Sequence, residues 1–566
     1  MRSSLDALLN DLEAARNCFG RAAAGKIKTL LQQLSRQEIR DPKSLVRFHE
    51  TLLFLRAFPA SPTIVPQVEK LLDRFHERTE RVRERGGDLS AFDDFDTSGI
   101  AGTTMEDTLS FDVVRWLVGR IPRNVEIVWD GYEEDRALGA TWPRFLPLLE
   151  EDGDVEANIP WSRWLQAATG RNRELEWLVQ RFEHLPKSGR EKEELYGSLR
   201  LPVRWKLDNL RLSRSRNRWP VHSFYSHREP LISRSQVSLQ DELSQPAPTL
   251  KKVPLAEGRA VMDMIREAML VRYRELYGTT LGDPHSVVQA RLGRGVVLYL
   301  WGLPLERRLP LRAYLAGFTL KNGVPINYVE AIGLCEWIEV GFNTFYTFRR
   351  GETAWIYAQL LRCLSRHMGA RCVSVYPYQI GDNNQEAIES GAFWFYRKLG
   401  FRSGRPDLRR LTEREEQRIA SNPKYKTPLR TLRRLAQAHV FYELPDAENK
   451  DWDRFSTRHL GLLVNQRMAR EFGGDSARIR RASAGQVSRA LGVSTARWTE
   501  AEQEAFESWA LVLALIPDLG RWTAKEKADL VRIVRAKASG DEMRYLWLTQ
   551  RHPRLRGALL RLGSKA

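Results

Sequence analysis

Residues 390–401 read SGAFWFYRKLGF, and the reading of this stretch decides how the middle of the chain folds. Phe393, Trp394, Phe395 and Tyr396 occupy successive positions. In a helix they point about 100° apart, so they cannot all share one face. Some must pack a sheet while another faces elsewhere. The Leu399-Gly400-Phe401 ending lets the chain leave the helix through a glycine, which accepts a positive φ at little cost.

The flanking segments supply the sheet. Residues 372–376 read as a strand and 354–368 as an amphipathic helix, opened by the turn FRRGETA at 348–354. Residues 336–348 read as extended. The segments 311–320 and 324–334 read as two strands joined at Lys321-Asn322-Gly323, a hairpin turn because Asn-Gly tolerates positive φ. Further out, 296–301 is a strand, 257–276 a long helix and 250–254 a short strand. Residues 439–444 give a last strand. The expected fold class is therefore α/β (α+β), a mixed and mostly antiparallel sheet with helices on both faces. Four regions are expected: a mostly helical domain over 1–195, a basic aromatic segment and linker over 196–248, the sheet domain over 249–445, and a helical domain over 446–566. Three helix starts, one in the first region and two in the last, rest on side-chain caps. Thr103-x-x-Glu106 or Thr104-x-x-Asp107 is expected to open one, and Thr499-x-x-Glu502 and Thr523-x-x-Glu526 read as capping boxes.

Two stretches of the sheet domain, FRRGETA with its following helix and AFWFYRKLGF, resemble the GNAT superfamily of acyl-CoA-dependent N-acyltransferases. The resemblance covers about a third of the chain. It implies transfer of an acyl group, such as acetyl, from acyl-CoA to an amine that the sequence does not identify. In the family, a turn of the type Gln/Arg-x-x-Gly-x-Gly/Ala holds the CoA pyrophosphate. The matching residues here are Arg349, Arg350, Gly351, Glu352, Thr353 and Ala354, with Phe348 at the Gln/Arg position and Thr353 in place of the second small residue. Backbone N–H groups at a helix N-terminus favour a bound diphosphate in any fold. The family's last core helix often reads Asn-x-x-Ala-x-x-x-Tyr-x-x-x-Gly-Phe. Ala392, Tyr396, Gly400 and Phe401 fit it, and Glu389 stands where Asn is usual. The resemblance makes Tyr396 the acid that protonates the departing thiolate.

An amine must lose a proton before it attacks a thioester, so a base is needed on the strand beside the acyl group. Glu336 and Glu339 are the candidates. They differ by an odd number, so strand alternation sends them to opposite faces, and Glu339 is preferred as the nearer to the turn.

Composition bounds the alternatives. The net charge of +18 over 566 residues favours an anionic partner. Arg204, Lys206, Arg211, Arg214, Arg216 and Arg218, interleaved with Trp205 and Trp219, suit RNA or DNA. The second reading is accordingly a nucleic-acid-binding or aminoacyl-tRNA-dependent protein whose fold has lost CoA. Four widely spaced cysteines without a CxxC pair point to a reducing compartment, and a cytoplasmic location is expected. No metal set is visible among the scattered histidines, and no apolar run is long enough for a membrane span. The run Gly20–Lys26 mimics a phosphate loop but lacks the Ser/Thr that ligates magnesium. Residues 486–498, with Gly492, faintly resemble a helix-turn-helix.

Overall fold

The structure is a computed structural model that describes residues 4–133, 135–146, 159–170, 173–208, 210–444 and 451–564. Part of the helical reading over 140–195, and the boundary expected at 445–446, lie outside these residues. The fold is mixed α/β. The chain divides into two compact units that interleave in sequence. One holds Met1–Pro230, Ala260–Leu281 and Asn322–Pro325; the other holds Leu231–Arg259, Gly282–Lys321 and Ile326–Ala566.

The first unit opens with helices Leu5–Ala15, Arg21–Ser35, Pro42–Ala57, Val65–Asp73 and Phe75–Glu84. Their apolar residues recur at helical spacing and are buried, as at Leu8, Leu9 and Leu12. The helix expected to start at Thr103 or Thr104 starts later, at Phe111, where Ser110 Oγ accepts from the Val113 N–H. Residues Thr104–Thr108 form strand β1 instead, burying Met105 while Thr104 and Glu106 face out. Alternation at period two outweighs the capping pattern there, because β1 finds a partner far along the chain. With β2 (Val125–Ile127) and β3 (Pro202–Lys206) it makes an antiparallel sheet in the order β1-β3-β2. Trp205, from the basic aromatic segment, is fully buried in this unit's core.

The second unit is built on a nine-stranded sheet. Its strands are β4 (Leu250–Lys252), β5 (Val288–Gly293), β6 (Val296–Trp301), β7 (Ala313–Lys321), β8 (Val324–Leu334), β9 (Trp337–Thr344), β10 (Cys372–Val375), β11 (Arg402–Ser403) and β12 (Val440–Glu443). The order is β11-β12-β10-β9-β8-β7-β6-β5-β4. β7 is buried along its whole length, which requires cover on both faces. β9 and β10 pair in parallel, while the other pairings described for this sheet are antiparallel. A parallel pair needs a crossover, and helix Thr353–Met368 supplies it. β12 returns antiparallel to β10 and separates it from β11.

The quoted stretch yields a helix of only six residues, Ala392–Arg397, after Gly391. Phe393 and Tyr396 are buried; Trp394 and Phe395 are half-buried, and Trp394 Nε1 donates to Thr427 Oγ1 at 3.1 Å. Both capping boxes, at Thr499 and Thr523, are formed. The helix-turn-helix likeness does not extend to geometry. Helix Ser476–Leu491 ends at Gly492 and the next begins only at Glu500, a longer connection than the three or four residues of that motif. Among the described residues no helix is long and apolar enough to cross a membrane.

Candidate functional site

The register of the central strands sorts the candidates by face. Glu339 of β9 lies opposite Ser374 of β10, which lies opposite Phe441 of β12. Cross-strand partners share a face, and so do residues two apart along a strand. Trp337, Glu339, Phe441 and His439 are thereby brought to one side of the sheet, with Tyr376 following at the end of β10. All five line a cleft of about 1490 Å³ in the second unit.

Within this cleft Glu339 Oε2 lies 2.9 Å from His439 Nε2. An ionised carboxylate only accepts hydrogen bonds, so the proton of a neutral His439 sits on Nε2 and leaves Nδ1 as its basic nitrogen. The Tyr376 ring meets the imidazole edge-on, with centroids 5.2 Å apart. Arg458 Nη2 donates to Tyr376 Oη at 2.7 Å, and Arg312 approaches Glu339 Oε1 at 3.9 Å. The arrangement is a carboxylate–imidazole pair held between an arginine on one side and an arginine-bound tyrosine on the other. It can take up a proton at the edge of an open cleft.

Glu336 lies outside β9, in the tight turn that follows β8. Its Oε1 accepts from Trp452 Nε1 at 2.7 Å and from Arg556 Nε at 2.6 Å. It therefore anchors the Trp452 indole, which stacks on Trp337 at 5.4 Å between centroids.

Tyr396 lies on the opposite face. Phe342, three residues after Glu339 and so on the other side of β9, packs against Tyr357 at 4.8 Å, and Tyr357 meets Tyr396 at 5.6 Å. Phe401 closes the cluster at 5.6 Å from Tyr396. Burial raises the Tyr396 phenol above its ordinary value, which keeps it protonated. The Tyr357 hydroxyl, fully buried in the same cluster, finds no hydrogen-bond partner among the described residues.

The turn before helix Thr353–Met368 is compact. The Gly351 N–H bonds Phe348 O at 2.8 Å, and Thr353 Oγ1 donates to the carbonyls of Arg349 and Gly351 at 3.1 and 2.8 Å. Ala354 is buried. Arg349 pairs with Glu386 and lies over the Tyr346 ring, while Arg350 is exposed. Glu352 is buried at the helix N-terminus, where it accepts from the Ile232 N–H at 3.2 Å and meets Arg294 and Lys321. The negative charge that a helix N-terminus favours is thus supplied by the protein itself. Burial takes the Lys321 ammonium down to about 7, against the opposing pull of Glu352.

β9 and β10 stay paired only from Trp337↔Cys372 to Glu339↔Ser374, although β9 runs on to Thr344. Beyond Glu339 the pairing ends because β10 stops at Val375 and the chain turns into the helix Pro377–Ile380, which leaves a gap beside β9. The side chain of Gln379 lies in the gap, its Oε1 accepting from the Phe342 N–H at 3.2 Å. Gly341 makes room for it, since a Cβ there would stand 2.5 Å from Gln379 Nε2.

In the first unit, four of the six basic candidates have carboxylate partners. Arg204 bonds Glu106 at 2.8 Å, Arg214 bonds Glu50 at 2.7 Å, Arg216 approaches Asp73 at 3.6 Å and Arg218 bonds Glu69 at 2.9 Å. Lys206 and Arg211 are exposed. Among the described residues no cluster of His, Cys, Asp and Glu could hold a metal ion. Cys335, Cys363 and Cys372 are free and buried, and burial pushes the Cys363 thiol up to about 12.

The sequence reading passed over His439, Tyr376, Arg312 and Arg458. His439 opens the last strand, but its pairing with Glu339 depends on β12 lying next to β10, a strand order that no local pattern encodes. No family model, curated protein or solved structure matches the chain.

Proposed function

We propose that the second unit is an acyltransferase of the GNAT type, which moves an acyl group from acyl-CoA to an amine bound in the cleft. The observation that carries this reading is the Glu339–His439 pair. Glu339 lies on the strand that leads into the arginine-glycine turn, and the pair faces an open cleft where that strand's pairing with its parallel neighbour ends. The order of elements supports the same reading: a long antiparallel run, a crossover helix, a parallel strand, a short aromatic helix and a final strand inserted next to the parallel one.

In this reading the amine nitrogen, relieved of its proton by His439 Nδ1, attacks the thioester carbon. Glu339 holds the imidazolium that forms. The C–N bond forms, the C–S bond breaks, the thiolate takes a proton from Tyr396 on the far side of the sheet, and the surplus proton left on the amide nitrogen passes to solvent, which returns one to the phenolate. Arg349 and Arg350 hold the pyrophosphate. The gap between β9 and β10 is the route by which the acyl carbon meets the amine, and Gln379 moves aside when the donor enters. The reducing compartment expected from the cysteines is the cytoplasm. The four ion-paired arginines of 204–218 leave less free charge for a polyanion than their number suggests, so the enzymatic reading is preferred to nucleic-acid binding.

The test is thermal. A ligand bound only by the native state raises the melting temperature by mass action. Acetyl-CoA is expected to do so, and Arg349→Ala with Arg350→Ala to remove most of the shift while the fold survives. No shift at millimolar acetyl-CoA with an intact fold sinks the proposal.

A further inference from the structure

The cleft holds more positive charge than its own carboxylates neutralise, and part of the surplus, Arg312 and Arg458, lies beside the Glu339–His439 pair. Seven arginines line it against four carboxylates. Several of these arginines are committed. Arg556 bonds Glu336 and Asp451, Arg409 approaches Asp453, and Arg405 bonds Asp407.

Arg312 and Arg458 differ. The one ion pair of Arg312 among the described residues is the 3.9 Å approach to Glu339, whose other oxygen already bonds His439. Arg458 makes no ion pair among the described residues; its partner is the neutral Tyr376 hydroxyl. Its guanidinium also lies 5.5 Å from the centre of the Tyr376 ring. A guanidinium fixed by stacking and one hydrogen bond loses little further freedom when it grips an anion. Arg312 is partly buried, and its charged form is disfavoured first by desolvation and then further by Arg458, against the pull of Glu339. Arg312 reaches Glu339 and Arg458 reaches Tyr376, both next to His439, and two neighbouring cations are each stabilised by an anion placed between them.

We infer that the amine acceptor carries an oxyanion group, a carboxylate or a phosphate, gripped by Arg312 and Arg458 while its amine faces the Glu339–His439 pair. The inference rests on the acyltransferase reading for the amine, but not for the anion. It narrows the acceptor from any amine to an anionic one, and it gives the two arginines a role in specificity.

Calorimetric titration without any CoA tests it with two pairs of probes, phosphoethanolamine against ethanolamine and γ-aminobutyrate against butylamine. At least one of the oxyanion-bearing amines should bind about tenfold or more tightly than its counterpart without the oxyanion, the size expected of charge-assisted hydrogen bonds. The stronger of the two names the oxyanion. Arg312→Gln with Arg458→Gln should abolish the difference, whereas Arg190→Gln, an exposed arginine of the first unit, should not. Arg458 is exposed, so Arg458→Gln alone decides the matter if the double variant does not fold. Equal binding of the amines with and without the oxyanion overturns the inference, and so does a preference that survives these variants. If the anionic amine binds as expected but acetyl-CoA neither binds nor reacts, the oxyanion site stands and the acyltransferase reading falls.

Discussion

Glu339 and Tyr396 stand on opposite faces of one sheet, and on the acyltransferase reading a substitution at either position should slow the reaction from its own side. Glu339→Gln keeps the size of the side chain but lets the His439 ring lose its charged partner. Turnover should fall by about 10²-fold or more, with acetyl-CoA binding unchanged. Tyr396→Phe removes one hydroxyl from an aromatic cluster. It should leave the melting temperature nearly unaltered while lowering turnover by a comparable factor of about 10². Steady-state assays paired with thermal melts distinguish lost chemistry from lost stability, and full activity in Tyr396→Phe makes that tyrosine a packing residue. A second residue-scale consequence lies in the first unit. His49 is fully buried, with Nδ1 3.0 Å from Glu50 Oε1 and Nε2 2.9 Å from Ser215 Oγ. Burial holds its imidazole down to about 4, from 6.5, against the hydrogen bond of Glu50. The unfolded chain therefore takes up this proton near pH 6.5 and the folded chain only near pH 4. The stability it confers is complete above that window and drains away as pH falls through it, by about 3 kcal/mol in all. Urea titrations at stepped pH should show that slope in the native protein and a shallower one in His49→Gln.

At the scale of elements, the hairpin β7–β8 was the most legible part of the chain. Asn322-Gly323 fixes it through chemistry local to the turn, and the structure gives both residues positive φ, 51° and 78°. Gly323 is constrained twice, because a Cβ would also fall 2.1 Å from Trp219 O. Gly323→Ala should cost at least about 1–3 kcal/mol from backbone strain alone, read as a lower urea midpoint. A midpoint equal to that of the native protein would mean the turn relaxes freely. The capping boxes at Thr499 and Thr523 were legible for the same reason, since donor and acceptor are three residues apart. β1 was not. Thr103 and Thr104 carry a helix-start pattern, yet the backbone groups of 104–108 find partners at 202–206, nearly a hundred residues on. β5 was also missed, because Gln289 and Arg291 dilute its apolar signal and its identity depends on pairing with β6.

Across the whole molecule, the sequence supplied the class of fold and the strand that bears Glu339, but not the company that strand keeps. His439, a hundred residues away, reaches Glu339 only because β12 returns beside β10. Charge was misleading in a similar way. A basic run looks like a polyanion surface until each arginine is followed to its partner, and Arg214, buried against Glu50, shows how far such a residue can be from solvent. On the acyltransferase reading, the placement of Tyr396 and Glu339 on opposite faces of the sheet has a kinetic corollary. If the donor is held on the Tyr396 side and the amine on the Glu339 side, neither blocks the other's entrance, and the acyl group passes directly from one to the other. Both substrates must be present together, with either free to arrive first. Double-reciprocal plots at several fixed amine concentrations should then intersect rather than run parallel. Desulfo-CoA, which occupies only the donor's door, should compete with acetyl-CoA and not with the amine.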